Sequence, residues 1–370
     1  MRKIADIKNV VVKIGSSTLT YENGHLNLVR IEKIVRYIVE LMNRGYKVTL
    51  VSSGAIGAGM GKLGYETRPK TIPEKQALAA VGQVALIHIY QKFFSEYSKN
   101  VAQVLLTMDD FSNRERYINA RNSMRVLLEK GIIPIINEND VVVIDEIKVG
   151  DNDSLSAYVS AIVEADLLII LSDIDGLYDD NPKENKNAKL IKTVENIDDN
   201  IKKLAKGAGS KFGTGGMATK IKAAEICTNF GIAMIIAHGE NPYNLIEILE
   251  GKEIGTYFKS NAKKLNHKKH WIKYSSKKEG IIYIDSGAVK AMQKHKSLLA
   301  IGIKKVEGFF EKGSSILIKD MENNEIGVGL INYSSEELNK IIGKKSSEIE
   351  KILGYKDYDE VIHIDNMYIN

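Results

Sequence analysis

The first 250 residues of this chain alternate short β-branched, apolar runs with segments of helical periodicity. Runs that are apolar at nearly every position are typical of parallel strands, because helices then cover both faces of the sheet. The alternation therefore predicts an α/β fold with three layers, in which a mostly parallel sheet lies between two layers of helices. The predicted strands are 10–14, 48–52, 101–107, 132–136, 167–171 and 232–237, and the predicted helices are 28–44, 74–97, 114–130, 154–164 and 217–230.

The texture of the sequence changes after about residue 255. A lysine-rich segment, 259–278, holds eight lysines and no acidic residue. Short strand-like runs follow it at 280–284, 315–318 and 326–330, which indicates a small β-rich second domain. The predicted division is a large domain at 1–258, a basic linker at 259–278 and the small domain at 279–358.

The formal charge of +5 lies entirely in the C-terminal part of the chain. Residues 1–258 contain 32 basic and 32 acidic side chains, whereas residues 259–370 contain 20 and 15. A basic segment of this kind either attracts nucleic acid or another polyanion, or serves as a solvated linker. The sequence leaves both interpretations open.

The composition is that of a globular protein kept in a reducing compartment. A single cysteine, Cys227, excludes an internal disulfide. No run of 18 apolar residues occurs, and the N-terminal segment lacks the apolar core of a secretory signal. We therefore expect a cytoplasmic protein without a transmembrane helix.

Small or polar residues follow four of the predicted strands. In open parallel sheets, ligands bind beyond the carboxyl ends of the strands, so these residues are expected to converge on one binding edge. The four groups are Gly15-Ser16-Ser17, Ser52-Ser53-Gly54, Asn137-Glu138-Asn139-Asp140 and Ser172-Asp173.

A glycine turn at 214–220 opens the last predicted helix of the large domain. Its two adjacent glycines, Gly215 and Gly216, allow backbone N–H groups to approach an anion closely. The helix adds its unpaired first-turn N–H groups, and Lys220 adds a full positive charge one turn inside it. This arrangement suits a polyphosphate; the alternative is an ordinary glycine-rich turn with a solvated lysine.

A second polar cluster, Gly150-Asp151-Asn152-Asp153-Ser154, precedes another predicted helix. One such residue is enough to cap a helix, and this segment has several. Carboxylates beside a phosphate site can also hold catalytic lysines or bind the waters of Mg²⁺, so capping and catalysis both account for the cluster. Lys13, at the end of the first strand, is expected to face either solvent or a ligand, because burying a lysine inside a strand is costly.

Other nucleotide and metal motifs do not fit this sequence. The Gly-Lys pairs lack both the following Ser or Thr and the earlier glycine of a Walker loop. The run 59–64 matches the dinucleotide pattern in letters, but the preceding strand ends at Ser52, several residues too early. We interpret the glycines at 54–64 as a flexible loop where a small substrate meets backbone. Neither zinc-ligand spacing nor a nucleophile elbow occurs.

Five of these motifs, in this order and spacing, resemble the glutamate 5-kinase family of the amino-acid kinase superfamily. They are 13–17, 52–56, 137–140, 150–153 and 214–220. The segments 79–83 and 114–121 also fit that family, and residues from about 279 to 356 resemble a PUA domain. The resemblance implies the amino-acid kinase fold for the large domain and a PUA-like fold for the small one.

The resemblance also implies an activity, the ATP-dependent phosphorylation of the side-chain carboxylate of L-glutamate, which is the first step of proline synthesis from glutamate. By this likeness Lys13 and Lys220 would contact the transferring phosphoryl group, and Asp153 would organise them. The residues that would hold glutamate are Ser53, Gly54, Asn137, Asp140 and Asn152. Those that would line the ATP site are Lys13, Gly15, Ser172, Asp173, Thr214, Gly215, Gly216, Met217, Ala218, Thr219 and Lys220.

The resemblance implies further partners. Mg²⁺ would be carried by the ATP phosphates, with no direct ligand from the protein. Proline would act as a feedback inhibitor, the chain would form a homodimer or homotetramer, and the product would pass to glutamyl-phosphate reductase. Two alternatives stay open: a kinase of another small carboxylate, or a protein that acts mainly on RNA through the PUA-like domain.

The residue inventory agrees with phosphoryl transfer to a carboxylate. Such a nucleophile is already ionised at neutral pH, so no general base is required and no candidate His or Cys is expected. Two unit charges about 4 Å apart repel by roughly 4 kcal/mol at an effective dielectric near 20. Catalysis then depends on positioning and charge neutralisation, which two lysines and helix N–H groups can supply.

Overall fold

The computed structural model describes residues 7–21, 25–142, 152–182, 184–207, 216–260 and 278–369. The chain divides into two compact units, one built mainly of residues up to 263 and the other mainly of residues from 264 onward. Most of the predicted basic linker, 259–278, lies outside the described residues.

A sheet of eight strands, counted over the described residues, forms the centre of the first unit. The strands are β1 (Asn9–Ile14), β2 (Lys47–Val51), β3 (Val101–Leu106), β4 (Ile133–Glu138), β5 (Leu167–Ser172), β6 (Thr193–Val194), β7 (Ala233–His238) and β8 (Thr256–Phe258). Their order is β3-β4-β2-β1-β5-β7-β8-β6, and every neighbouring pair is parallel except β7 and β8. The mostly parallel sheet expected from the sequence is confirmed. Of its strands, the short β6 and β8 were not predicted.

Helices cover both faces of this sheet. Between residues 7 and 260 the described helices are α1 (Ser16–Leu19), α2 (Leu28–Asn43), α3 (Ala55–Leu63), α4 (Ile72–Ser95), α5 (Met108–Ser112), α6 (Arg114–Glu129), α7 (Asn152–Ile162), α8 (Asp199–Gly207), α9 (Met217–Asn229) and α10 (Asn244–Leu249). On one face, α2, α4 and α10 share a core with the strands. On the other face, α7 and α9 pack against β1, β5 and β7 and against each other. The three-layer α/β architecture is therefore confirmed.

The central strand β1 sends its side chains alternately to the two faces. Val10, Val12 and Ile14 belong to the core shared with α2 and α4. Because successive side chains of a strand point to opposite faces, Val11 and Lys13 lie on the face covered by α7 and α9. The position of Lys13 beneath these two helices follows from this alternation.

The glycine-rich segment predicted as a loop at 54–64 is instead the helix α3. Gly54 and Gly64, both with left-handed φ values of 92° and 72°, lie at its two ends. A Cβ at Gly59 would lie 2.0 Å from the carbonyl oxygen of Leu78, and one at Gly82 would lie 1.8 Å from that of Ala55. The loop prediction was wrong because the glycines serve close contact between α3 and α4, which outweighs their poor helix propensity.

Helix α4 is the one helix in the described part of the chain that is long and apolar enough to cross a membrane, with a mean hydropathy of 1.2 over an 18-residue window. Its residues Leu86, Tyr90 and Phe94 are fully buried in the core shared with the sheet. Core helices of globular domains pass the same test of length and composition. The packing of α4 on α2, α3 and the sheet accounts for its apolar character.

The close approach of α3 and α4 predicts that Gly82→Ala destabilises the protein by about 1–3 kcal/mol, because the added methyl group overlaps backbone atoms that cannot yield. The measurement is the free energy of unfolding in urea. Gly57→Ala is the matched control on α3: its Cβ would lie 3.4 Å from Cγ2 of Thr20, an ordinary contact. This control is expected to leave stability unchanged or raise it by up to about 1 kcal/mol. Equal stability of both variants would refute the glycine contact.

The second unit contains, over its described residues, a five-stranded sheet with the order β10-β9-β11-β12-β13. The strands are β9 (Lys278–Ile284), β10 (Ile303–Glu307), β11 (Ser315–Asp320), β12 (Glu325–Leu330) and β13 (Met367–Ile369), and the helices are α11 (Ser286–Gln293), α12 (Ser335–Ile341) and α13 (Ile349–Leu353). Strands β9 and β11 are parallel, and the other pairs are antiparallel. A separate core that includes Phe310, Tyr333 and Met367 confirms the β-rich C-terminal fold.

Candidate active site

The carboxyl ends of β4, β2, β1 and β5 lie side by side in the sheet. Polar residues occupy these ends or follow them directly, so the structure brings the predicted groups to one edge. They are Asn137 on β4, Ser52 to Gly54 after β2, Lys13 on β1 with Gly15 after it, and Ser172 on β5.

Two lysine ammonium groups contact a single carboxylate at this edge. Nζ of Lys13 lies 2.6 Å from Oδ1 of Asp153, and Nζ of Lys220 lies 3.2 Å from Oδ2 of the same residue. The exposed fractions are 7% for Lys13, 4% for Lys220 and 1% for Asp153. The three side chains therefore form a buried cluster with a combined charge of +1.

Three elements hold the cluster in place. Lys13 lies on the face of β1 beneath α7 and α9, Asp153 lies in the first turn of α7, and Lys220 lies in the first turn of α9. The helix dipole favours a carboxylate in a first turn and opposes an ammonium group there. Asp153 offsets this cost for Lys220, and an anion bound at the start of α9 would offset it further.

The electrostatics of the cluster keep Asp153 ionised. Burial by itself would raise the pKa of its carboxyl group, but the charges of Lys13 and Lys220 lower it more. The hydroxyl of Thr219 lowers it further. The net result is a pKa well below the usual range of an aspartate, so the carboxylate stays charged throughout the neutral range.

The start of α9 adds polar groups beside this cluster. The N-cap residue is Gly216, which has no side chain to accept a hydrogen bond from the first-turn N–H groups. The hydroxyl of Thr219 donates toward Oδ2 of Asp153 and toward the carbonyl oxygen of Gly216, at 2.8 Å each. Met217 is buried and Ala218 is exposed in the same turn. The predicted ATP residues Thr214 and Gly215 lie outside the described residues, as do Gly150 and Asp151 of the second cluster.

The predicted ATP residues at the ends of β1 and β5 are joined by hydrogen bonds. The N–H of Gly15 donates to the carbonyl oxygen of Leu171 at 3.2 Å. The hydroxyl of Ser172 donates to Oδ1 of Asp173 at 3.0 Å, and the N–H of Gly239 donates to the carbonyl oxygen of Ser172 at 2.7 Å. The three chain segments therefore form one connected rim beside the lysine cluster.

A group of carboxamides and hydroxyls lies where glutamate is expected. Nδ2 of Asn152 donates to Oγ of Ser53 at 2.8 Å, and it lies 3.3 Å from both Oδ1 of Asn137 and the carbonyl oxygen of Ser52. Oδ1 of Asn152 is buried and has no hydrogen-bond partner within the described part of the chain. A buried acceptor of this kind is costly unless a donor reaches it.

Asp140 lies two residues after β4, and it is half-buried. Burial raises the pKa of its carboxyl group to about 6. Gly54, also assigned to the glutamate site by resemblance, begins α3 with its left-handed backbone directly after Ser53. A cation bound beside Asp140 would replace the solvation that its carboxylate loses on burial, and would favour the ionised form.

Two residues of α4 that the sequence did not single out as site residues reach this edge. Oε1 of Gln83 accepts a hydrogen bond from Nδ2 of Asn137 at 2.7 Å, and the hydroxyl of Tyr90 lies 3.1 Å from Oγ of Ser52. The sequence offers two signals: Gln83 ends the segment 79–83 that resembles the family, and Gln83 and Tyr90 are seven residues apart, which is about two helical turns. That spacing says which helix face they share but not what they touch.

Comparison with known proteins agrees with the fold. The model of the amino acid kinase family matches residues 8–238, and the PUA domain model matches residues 280–353. The chain belongs to the amino acid kinase family.

Its relatives carry a more specific name. The proteins named glutamate 5-kinase from Thermoanaerobacter sp. and Caldanaerobacter subterraneus are 57% and 54% identical, each over 97% of both chains. The glutamate 5-kinase of Carboxydothermus hydrogenoformans is 48% identical over 100% of both chains. Among solved structures, a UMP kinase from Ureaplasma parvum covers 69% of this chain and 100% of its own at 15% identity, with a TM-score of 0.49, a likeness too distant to inform on the substrate.

Proposed function

We propose that this chain transfers the γ-phosphoryl group of ATP to the side-chain carboxylate of L-glutamate, giving L-glutamyl 5-phosphate and ADP. The observation that carries the proposal is the buried Lys13–Asp153–Lys220 cluster beside a pocket of carboxamides, at the carboxyl edge of the sheet. The near full-length identity to proteins named glutamate 5-kinase supports the choice of substrate. The product belongs to proline synthesis from glutamate.

The reaction needs charge neutralisation more than proton transfer. A carboxylate oxygen attacks the γ-phosphorus, and the bond from that phosphorus to the oxygen bridging it to the β-phosphate breaks, so that ADP leaves with the electron pair. The ammonium groups of Lys13 and Lys220 offset the charge that accumulates on the equatorial oxygens. Asp153 holds the two ammonium groups at one place, since each contacts one of its oxygens. The first-turn N–H groups of α9 bind phosphate oxygens beside them.

We propose that Mg²⁺ enters this site on the phosphates of ATP. The cluster presents ammonium groups, which fit phosphate oxygens and cannot ligate a cation. The metal ion would supply additional neutralisation of the phosphates. The protein's own part is to position ATP through Gly15, Ser172, Asp173 and the segment 214–220, of which 216–220 is described.

The glutamate side of the proposal rests on donors and acceptors. Glutamate carries one donor group, its α-ammonium, and two carboxylates that only accept. Oδ1 of Asn152, which has no hydrogen-bond partner among the described residues, and the carboxylate of Asp140 are acceptors, so both suit the ammonium group. The hydroxyl of Ser53 and the backbone at Gly54 would face the carboxylates. Selection of an amino acid over a simple dicarboxylate follows from the two acceptors.

The test of this function is a hydroxamate assay with ATP, Mg²⁺ and a panel of acids. Hydroxylamine traps an acyl phosphate as its hydroxamate, so only the true acceptor gives colour. We expect L-glutamate to react, and aspartate, N-acetylglutamate and glutarate to react at least about 100-fold more slowly, because N-acetylglutamate and glutarate lack the ammonium group and aspartate is shorter. Faster reaction of another acid would transfer the proposal to that substrate.

The raised pKa of Asp140 predicts the pH dependence of glutamate binding. The ammonium group attracts the ionised carboxyl group and not the protonated one, so binding strengthens as pH rises through the free-enzyme pKa of about 6. We expect kcat/KM for glutamate to fall with unit slope below about pH 6, while kcat at saturating glutamate changes less. Asp140→Ala should lose this limb and raise the glutamate KM. A limb that persists in the variant would assign the titration to another group.

Three accompanying proposals carry over from the family resemblance. Proline shares the α-carboxylate and the α-nitrogen of glutamate, so it is proposed as a feedback inhibitor that competes near Asn152 and Asp140. Acyl phosphates react readily with water, which favours hand-over of the product to a glutamyl-phosphate reductase in the cytoplasm. A homodimer or homotetramer is proposed for the assembly. Competition by proline in the hydroxamate assay, and sedimentation of the intact protein, would test the first and the last.

RNA binding as the main role has no support from the described part of the second unit. Residues 278–369 contain thirteen lysines, no arginine and fifteen acidic residues, so this part of the chain carries no positive excess. Nucleic-acid binding depends on such an excess. The basic surplus of the chain belongs to 259–277 instead.

A further inference from the structure

The carboxamide group of the proposed glutamate site has a definite orientation, which the backbone dictates. The N–H of Glu138 donates to the side chain of Asn137 at 2.9 Å, and a backbone N–H cannot accept. Asn137 must therefore present its oxygen, Oδ1, to this group. Its NH₂ group is left facing Gln83, so Gln83 must in turn present its own oxygen.

The same reasoning extends from Asn137 to Asn152. The carbonyl oxygen of Ser52 and Oδ1 of Asn137 are both acceptors, and both lie 3.3 Å from one terminal atom of Asn152. That atom must be the donor Nδ2, which leaves Oδ1 of Asn152 as the buried atom without a partner in the described chain. The chain of hydrogen bonds thus runs from Gln83 through Asn137 to Asn152, whose Oδ1 is the hydrogen-bond acceptor proposed for the glutamate ammonium group.

The packing of α4 fixes the position of the Gln83 side chain. It is a buried polar residue with an exposed fraction of 9%, and it follows Gly82, whose lack of a side chain lets α4 contact the backbone of α3 at Ala55. Helix α3 begins at Ala55, two residues after Ser53. The hydroxyl of Ser53 can both donate and accept, so it does not decide which way the carboxamide of Asn152 is turned. The α3–α4 contact therefore fixes Gln83 relative to the site.

We propose that Gln83 is a positioning residue for the acceptor amino acid: by accepting from Asn137, it fixes the carboxamide orientations that present Oδ1 of Asn152 to the substrate ammonium group. Without Gln83, the NH₂ group of Asn137 would be buried without an acceptor, and rotation of the Asn137 carboxamide would become competitive. Rotation would set two NH₂ groups against each other at Asn152. This inference rests on the proposed function. It adds Gln83 as the residue that fixes which carboxamide atom of Asn152 faces the glutamate ammonium group.

The test compares steady-state kinetics of Gln83→Met, which keeps the side-chain volume and removes the acceptor, with the wild-type protein. We expect the glutamate KM to rise roughly 5- to 50-fold, with kcat and the ATP KM changed by less than about threefold. Gln91→Met is the matched control, the same substitution on the exposed face of α4, and is expected to leave all three constants unchanged. An unchanged glutamate KM in Gln83→Met would overturn the proposal.

A second measurement separates positioning from a general loss of structure. In the Asn137→Ala background, Gln83→Met is expected to add less than about a twofold change in glutamate KM, because Gln83 acts through Asn137. Effects that multiply in full would overturn the proposal, as would a parallel fall in kcat, ATP affinity and thermal stability in Gln83→Met and Gln83→Leu alike. If the wild-type protein prefers another acid, the proposed function fails, and the same variants then test Gln83 against that acid.

Discussion

Lys220→Ala is expected to lower kcat by roughly 100- to 1,000-fold while changing the glutamate KM by less than about threefold. The ammonium group of Lys220 is buried, lies in the first turn of α9 and shares Asp153 with Lys13. In the proposed mechanism its charge acts on the phosphoryl group as charge develops there, and glutamate does not need it for binding. Single-turnover measurement of hydroxamate formation at saturating ATP and glutamate gives the required rate.

Lys222→Ala provides the control for this prediction. Lys222 is exposed and lies two residues further along the same helix, so its loss removes an equal charge without touching the cluster. We expect its kcat to equal that of the wild-type protein. An unaltered kcat in Lys220→Ala would show that Lys220 takes no part in the mechanism. A rise confined to the glutamate KM would show that Lys220 binds glutamate instead.

Asp153→Asn is expected to have the second large effect, on both stability and rate. The substitution leaves Lys13 and Lys220 close together without the carboxylate that both contact. Removal of one partner from a buried ion pair typically costs about 3–5 kcal/mol, because the remaining charge is left uncompensated. Urea unfolding should show this loss, and ADP with Mg²⁺ should restore stability more in the variant than in the wild-type protein. The value of kcat should also fall, because Asp153 no longer holds Lys13 and Lys220 at one place.

The pH dependence gives this prediction a defined sign. The folded-state pKa of Asp153 is depressed, so its contribution is fully present above the unfolded-state pKa of about 3.9 and is lost as pH falls further toward the folded-state value. The stability difference between wild type and variant should therefore be constant from about pH 5 to 8 and shrink below about pH 4. Glu40→Gln, which breaks an exposed pair with Arg44, should cost less than about 1 kcal/mol at any pH. A cost in Asp153→Asn no greater than in this control would contradict the buried cluster.

Local pattern was enough to predict most elements of the large sheet. The runs at β1, β2, β4, β5 and β7 are mostly apolar and buried, and burial on both faces is what a central parallel strand requires. Strand β3 lies at the edge of the sheet and is buried only in part. The pattern failed at α3, where five glycines or alanines among nine residues suggested a loop. Helix propensity is a local quantity, whereas the reason for these glycines is the backbone of α4 on the other side of the contact.

The candidate site divides in the same way. Lys13, the polar strand ends and the glycine turn could be recognised from residue type and position, and the resemblance assigned roles to them. Gln83 and Tyr90 could not, because a single polar residue on a core helix is indistinguishable from many others until its partner is known. Their partners, Asn137 and Ser52, come from strands far away in the chain.

The sequence by itself determined the alternation of strands and helices and the ends of strands where polar groups collect, since each depends on a pattern within a few residues. Only the tertiary structure decided that Lys13 and Lys220 meet at one carboxylate, and that a helix of the core reaches the carboxamides of the site. These are distances of a few ångströms between segments that no local pattern relates, and they arise when burial of the two sheet faces brings α4, α7 and α9 to the same edge.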